Sequence, residues 1–193
     1  MNLRFWLSGV VFSLALITAI VAQDPNVSHF AKDGLSFDYP KSWLLSDQST
    51  AQMQLIELTQ GDITIRIRSP REYLGTPEKA AHAKKLFQDN YVNDFFNQVQ
   101  GAGMTPKRSV VTTQIAGADA EGARVRAILD REPGGMDSYF RVVSDRLINL
   151  SIIGSEKDIN KSAAAWDMIR NSIQVEAAPQ PKPTGKPSPT PKP

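Results

Sequence analysis

The stretch that decides the fold is residues 33–43, which read Asp33-Gly34-Leu35-Ser36-Phe37-Asp38-Tyr39-Pro40-Lys41-Ser42-Trp43. Large apolar side chains alternate with polar ones from Leu35 to Tyr39, a period typical of a half-buried β-strand. The preceding Lys32-Asp33-Gly34 places glycine where a hairpin turn needs positive φ, so Val27–Ala31 is predicted to be the antiparallel partner. Pro40 stops the pairing, and we expect Trp43 to fold back against the sheet.

The same period of two predicts further strands along the chain. They lie at Met53–Leu58, Ile63–Arg68, Ser109–Ile115, Ala120–Leu129, Ser138–Val143 and Leu147–Ile153. Turns with glycine at 59–62 and 132–135, and the pair Ser144-Asp145, separate neighbouring strands. Because turns this short join antiparallel neighbours, the sequence predicts a mainly antiparallel sheet.

Two segments have helical spacing instead. The first begins at Thr76-Pro77, an N-cap residue followed by proline at the first helical position, and ends near Gly101. Its apolar stripe consists of Ala80, Ala83, Phe87, Tyr91, Phe95 and Val99. The second begins at Ser155, and its stripe consists of Ile159, Ala163, Trp166, Ile169 and Ile173. The chain is therefore predicted to have an α+β fold, with helices flanking an antiparallel sheet.

The two ends differ in composition from the segment between them, 23–176, which we predict to be one domain. Residues 1–22 join a positive start to an uncharged, mostly apolar run that ends in alanine, as in a secretory signal peptide. We therefore expect export to a periplasmic or extracellular location, and an uncleaved membrane anchor is the alternative. Residues 177–193 hold 7 of the 13 prolines and predict a disordered Pro/Lys-rich tail. The tail is either an inert spacer or a cationic arm that touches anionic envelope polymers.

Composition excludes several classes of protein. The chain has no cysteine, so it has no thiol nucleophile, no cysteine-ligated zinc and no disulfide. The segment 23–176 has 18 basic and 20 acidic residues, a net charge of −2. Nucleic-acid-binding domains are strongly basic as folded units, so we expect no nucleic-acid partner.

The sequence offers little that points to catalysis. Its two histidines, His29 and His82, have no partner at ligand spacing, and no nucleophile elbow or phosphate-binding glycine loop is present. We therefore predict no catalytic residue, no metal and no cofactor, and expect a non-enzymatic protein. The alternative is a hydrolase that uses paired carboxylates such as Asp119 and Glu121, which point to one side of a predicted strand.

Arginines recur on the polar side of the predicted strands. Alternation with apolar residues predicts that up to five guanidiniums share one surface, those of Arg66, Arg68, Arg124, Arg126 and Arg141. Guanidiniums suit planar anions such as carboxylate and phosphate. The surface is therefore a candidate docking site for an anionic partner, and a solvated sheet face partly neutralised by acidic neighbours is the alternative.

The segment 33–43 resembles the opening of the PsbP-like superfamily, in which glycine and alternating aromatic residues precede Tyr/Phe-Pro-x-x-Trp. Strands at 139–143 and 147–153 and the helix carrying Trp166 and Ile169 are similar to the closing part of that family, so the resemblance spans roughly 30–175. It implies an α/β/α sandwich and non-enzymatic roles, such as accessory subunits of photosystem II, import-related binding proteins and effector chaperones. A polar arginine face departs from such a sandwich. Either one face is only partly covered, or the arginines lie beyond the covering helix.

The sequence thus favours an exported, non-enzymatic accessory or binding protein of the bacterial cell envelope. Its expected partner is a protein or an anionic envelope component, with membrane contact only if residues 1–22 stay attached. The hydrolase and a membrane-tethered structural or chaperone-like protein remain the alternatives.

Overall fold

The computed structural model describes residues 25–129 and 131–177. The strands are Val27–Lys32 (β1), Leu35–Pro40 (β2), Leu44–Asp47 (β3), Met53–Gln60 (β4), Ile63–Pro70 (β5), Lys107–Ile115 (β6), Ala118–Leu129 (β7), Glu132–Val143 (β8), Arg146–Ser155 (β9) and Gln174–Val175 (β10). The helices are Pro77–Lys84 (α1), Asn90–Gly101 (α2), Glu156–Lys161 (α3) and Ala163–Ser172 (α4), with a π-helical turn at Lys85–Asp89 between α1 and α2.

All strand pairs are antiparallel. A large sheet has the order β3-β4-β5-β9-β8-β7-β6, and a small sheet has the order β1-β2-β10. The predicted hairpin at 33–43 is confirmed, since β1 pairs with β2 across Asp33 and Gly34, both with positive φ. Phe37 is fully buried and Trp43 is 5% exposed, so the tryptophan does fold back into the core.

The first face of the large sheet carries the register partners Ile67, Leu150 and Tyr139. It packs against the small sheet and α4, because Phe37 of β2 and Ile169 of α4 belong to the same buried cluster as these residues. All of these five residues except Tyr139, at 5% exposure, are completely buried. This layer is the main hydrophobic core.

The second face packs against the long helical segment formed by α1, the π-helical turn and α2. Val92 of α2 contacts a cluster with Val125 and Met136, and Ala83 of α1 lies in another with Leu147. Helices therefore lie on both faces of the large sheet. This arrangement confirms the predicted α+β fold with an antiparallel sheet flanked by helices.

The predicted helix starts are both confirmed. The Thr76 hydroxyl accepts a hydrogen bond of 3.3 Å from the backbone N–H of Lys79, with Pro77 at the first helical position. The Ser155 hydroxyl accepts one of 3.1 Å from the backbone N–H of Asp158. Each cap satisfies a backbone donor that has no partner inside its helix.

The π-helical turn changes which residues of the long helix face the sheet. A π-helical turn adds one residue to the helix and so shifts the phase of every later side chain. Gln88 within the turn, at 3% exposure, and Val92 beyond it, at 0%, lie deepest, whereas the predicted stripe has Phe87 and Tyr91 at this level. Phe87 and Tyr91 are half-buried instead.

One predicted boundary is wrong, and two short strands were missed. The segment 132–135 is part of strand β8 and not a turn, because the chain reverses between Leu129 and Glu132, where Arg131 has positive φ. The short strands β3 and β10 were not predicted. With four and two residues, they are too short to show a period in the sequence.

Two predicted segments lie outside the described residues. They are the signal peptide, 1–22, and the tail, 177–193, except for its first residue. Within 25–129 and 131–177, no helix has the length and apolar composition that crossing a membrane requires.

Gly135→Ala should lower the free energy of unfolding by about 3 kcal/mol, because an added Cβ would overpack the sheet against backbone atoms. That atom would lie 1.9 Å from the Val125 carbonyl oxygen, and Gly135 also has a φ of +153°. Gly61→Ala is the matched control, since its φ is +57° but nothing lies within 4 Å of the new Cβ. It should cost only about 1 kcal/mol. Urea denaturation of both variants measures this, and equal losses would contradict the steric explanation.

Candidate functional site

The five candidate arginines do not share one face. Cross-strand register places Arg66 in one row with Ser151, Ser138 and Ala123, so Arg124, the next residue along β7, faces the opposite side. By the same geometry Arg68 aligns with Asn149 and Phe140, which puts Arg141 on the opposite side. Two arginines therefore lie on the second face and three, Arg124, Arg126 and Arg141, on the first. The prediction of a shared arginine surface is wrong.

Arg66 and Arg68 lie beneath the long helical segment. Arg66 forms an ion pair with Glu57 and donates to the Tyr91 hydroxyl at 3.1 Å. Arg68 donates to the backbone carbonyl of Phe87, and its guanidinium lies 3.5 Å from the centre of the Tyr91 ring. Burial lowers the pKa of Arg68 to about 10, which leaves it charged at neutral pH. The helix thus lies directly over Arg66 and Arg68. This differs from both expectations, which were a partly covered face and arginines beyond the covering helix.

A buried polar network continues from Arg68 across the second face. The Asn149 side-chain oxygen accepts from Arg68 at 2.8 and 3.0 Å. Its amide nitrogen donates to Gln88 of the π-helical turn at 2.5 Å and to the Ser138 hydroxyl at 3.0 Å. Gln88 in turn donates to the Ser138 carbonyl at 2.7 Å. The sequence analysis did not predict this network. Its signal in the sequence is an isolated amide within an apolar strand, Asn149, and another beside an apolar helical stripe, Gln88.

Arg141 closes the turn between β6 and β7. Its guanidinium donates to the carbonyls of Ile115, Ala116 and Ala118, the last two at 3.2 Å. Ala116 has positive φ, so this tight turn leaves carbonyl groups pointing at a nearby donor. The Arg141 guanidinium is therefore already bonded to backbone carbonyl groups of its own chain.

Arg124 and Arg126 hold one buried carboxylate between them. Arg124 donates to both oxygens of Asp137, Nε to Oδ1 at 2.9 Å and Nη2 to Oδ2 at 2.7 Å, and Nη1 of Arg126 lies 2.7 Å from Oδ1. The Asp137 side chain is only 6% exposed, against 43% for Arg124 and 21% for Arg126. The hydrogen bonds to Asp137 raise the pKa of Arg124 above its ordinary value. Two guanidiniums with one carboxylate leave an excess positive charge facing solvent.

The surroundings of this pair are exposed. Lys107 of the outermost strand is the register partner of Arg126 and lies on the same face, where it is exposed. Ile128 lies two residues beyond Arg126 on that face and is 59% exposed. We call Lys107, Arg124, Arg126 and Asp137 the Arg124 patch. Sequence reasoning found its two arginines but missed Lys107 and Asp137, whose place beside them depends on strand register.

The carboxylates and histidines considered for catalysis lie apart from this patch. Asp119 and Glu121 share the second face near the outer edge, and both are exposed. His29 lies 2.7 Å from the half-exposed carboxylate of Asp38, and His82 is exposed. Across residues 25–129 and 131–177, no three acidic or histidine side chains are grouped closely enough to hold a metal ion.

An apolar groove of about 800 Å³ lies beside α1, away from the Arg124 patch. Leu74, Leu86 and Phe87 line it, with Glu72 and Glu78 among its polar residues. The hydrogen bond from Lys79 lowers the pKa of Glu72, and backbone hydrogen bonding lowers that of Glu78. A carboxylic acid that acts as general acid near neutral pH needs a raised pKa. The pKa values of Glu72 and Glu78 are therefore shifted in the opposite direction.

Comparison with known proteins identifies the fold. No family model matches the chain, and no curated protein matches its sequence. Its structure is similar to the solution structure of cyanobacterial PsbP (CyanoP) from Synechocystis sp. PCC 6803, with a TM-score of 0.52 and 12% sequence identity. The likeness covers 87% of this chain and 98% of that one. The fold is PsbP-like.

The PsbP-like fold confirms the resemblance found in the sequence at 33–43. At 12% identity the likeness establishes the arrangement of strands and helices, and no residue role transfers with it. The Arg124 patch therefore rests on this chain's own geometry.

Asn149→Ala should destabilise the PsbP-like fold by about 3 kcal/mol, because it removes the side-chain acceptor of the half-buried Arg68 and one of the two donors to the buried Gln88 side-chain oxygen. Asn93→Ala is the control. It removes an exposed amide that accepts from Arg108 at 2.7 Å, and it should change stability by less than about 0.5 kcal/mol. Guanidinium denaturation of both variants provides the comparison. A loss below 1 kcal/mol for Asn149→Ala would mean that water replaces the network readily.

Proposed function

We propose that this chain is an exported, non-enzymatic accessory or binding protein of the bacterial cell envelope, and that it docks an anionic partner on the Arg124 patch. The observation that carries the proposal is the exposed guanidinium of Arg124, held in place by the buried Asp137. Arg66, Arg68 and Arg141 bond to groups inside the protein, so the binding surface expected from the sequence is reduced to this patch.

The geometry favours a carboxylate or phosphate ligand. A guanidinium fixed by a bidentate bond loses little freedom on binding, and its outward N–H groups match planar or tetrahedral oxyanions. Arg126 and Lys107 supply further positive charge on the same face, and Ile128 offers apolar contact next to it. Because Asp137 neutralises only one of the three cations, the patch attracts anions at long range at low ionic strength.

Export is supported by the sequence of residues 1–22. A chain without cysteine must reach its stability by packing, and the large sheet covered on both faces supplies that packing. The domain thus needs no disulfide to persist outside the cytoplasm.

The hydrolase alternative rests on Asp119 and Glu121. Both carboxylates are exposed, whereas general acid catalysis relies on a desolvated acid. Asp119→Asn tests the hydrolase alternative directly. For a binding protein, we expect a substrate screen to find no turnover that this substitution abolishes. We therefore favour the binding role.

The docking role predicts that Lys107→Glu combined with Arg124→Gln abolishes capture of the partner. The tagged protein is crosslinked in intact cells, purified and analysed by mass spectrometry beside the variant. The expected partner is recovered with the unmodified protein and is lost with the variant. In a parallel pull-down without crosslinking, raising the salt concentration should release it, because exposed charges are screened.

The control is Lys41→Glu combined with Lys85→Gln, which changes net charge equally at exposed positions outside the patch. Thermal denaturation establishes that both variants are folded. Equal capture by the patch variant and the control would contradict docking at the Arg124 patch.

A further inference from the structure

Strand β6, Lys107–Ile115, forms one edge of the large sheet. It pairs with β7 along its whole length, and no other strand among the described residues pairs with it. At its centre Val110 is 84% exposed, the highest value among the exposed large hydrophobic residues. The opposite edge, β3, has only four residues. An open edge as long as β6 is a template for pairing with another strand.

The end of α4 determines how much of this edge is open. Arg170 donates from Nη1 to the Gln114 carbonyl at 2.8 Å, and its own carbonyl accepts from the Ala116 N–H at 2.8 Å. The Gln114 carbonyl therefore points away from β7. Because outward and inward groups alternate in an antiparallel pair, the backbone groups of Arg108, Val110 and Thr112 point outward as well. The open edge thus consists of three positions and stops at the residue that Arg170 covers.

We infer that the occupant of this edge is the β6 strand of a second copy, paired antiparallel with Val110 opposite its own counterpart. This register places Arg108 of each copy opposite Thr112 of the other. It uses all three open positions, each pair exchanging two hydrogen bonds. Shifting the register by two residues in one direction would require Gln114, whose outward carbonyl is already bonded to Arg170. A shift in the other direction would bring in Pro106, which has no N–H to donate.

Charge favours the same register. In each copy Thr112 is the register partner of Glu121, whose carboxylate lies 3.5 Å from the Lys84 ammonium group and whose side chain is still 71% exposed. Arg108 of the second copy would therefore lie in one row with Glu121, two strands away, on the same face of the sheet. Two strand spacings make about 9.6 Å, which the long side chains of arginine and glutamate can span together. The two Arg108 residues lie at opposite ends of the contact, which avoids like-charge repulsion.

The contact has two-fold symmetry and forms a closed dimer. Pairing equal residues across a two-fold axis perpendicular to the sheet buries both open edges at once, so no further copy is added. Val110 becomes covered by its counterpart, which accounts for a large apolar side chain left exposed on an otherwise polar edge. This inference does not depend on the function proposed above.

The absence of cysteine allows a direct test with the full-length protein. Val110→Cys should form a disulfide-linked dimer under mild oxidation, since opposed residues of a hydrogen-bonded pair lie about 5.5 Å apart, within disulfide range. Leu44→Cys, on the exposed edge strand β3 and 72% exposed, is the control for random collision and should stay monomeric. The readout is non-reducing electrophoresis at equal protein concentration.

A mixing experiment tests the register. Arg108→Cys and Thr112→Cys should each crosslink poorly alone and should link to one another when mixed. Equal linking in all combinations would overturn the register, and failure of Val110→Cys to link more than Leu44→Cys would overturn the pairing.

Sedimentation velocity tests the unmodified edge. The unmodified protein should sediment as a dimer at micromolar concentration and Val110→Lys as a monomer, while Ile128→Lys, another exposed apolar position, should remain a dimer. A folded, unmodified protein that is monomeric at all accessible concentrations would overturn the inference. Binding of an extended peptide by that monomer would assign the edge to a different partner instead.

Discussion

The hydrogen bonds of Asn149 fix how the long helical segment lies on the sheet. Its amide donates to Gln88 and Ser138, and its oxygen accepts from Arg68. A buried polar side chain without partners costs more than an ordinary hydrogen bond contributes, so helix positions that would separate the buried Gln88 from Asn149 and Ser138 are disfavoured. The same contact brings Tyr91 over Arg68. One buried network therefore orients the helix, which partly covers Arg66 and Arg68.

The sequence predicted those parts of the fold that depend on local chemistry. The hairpin at 33–43 and the caps at Thr76 and Ser155 follow from residues close together in the chain, and all three are confirmed. The phase of the long helix does not follow, because the π-helical turn places Gln88 inward to meet polar groups on distant strands. A helical stripe read with uniform spacing selects Phe87 at that level and misses the amide beside it.

The prediction of one shared arginine surface was wrong for a related reason. A period of two tells which residues of one strand share a side, so Arg124 and Arg126 were correctly paired. It does not relate one strand to another, because the phase between β5 and β7 passes through the registers of β9 and β8. A turn at 132–135, as predicted, would shorten β8. The actual turn lies earlier in the chain, and residue composition alone does not locate it. Arg66 and Arg124 therefore ended on opposite faces, with Asp137 as an unforeseen partner of the latter.

The two surfaces proposed above, for docking and for self-pairing, both lie at the outer strands of the large sheet. The Arg124 patch spans β6, β7 and β8 on an exposed part of the first face, and the open edge at Val110 belongs to the same β6. A two-fold axis perpendicular to the sheet keeps the first faces of both copies on one side. Two Arg124 patches would then flank the axis. An extended anionic partner that reaches both would bind more tightly than one patch allows, because the second contact forms at high effective concentration.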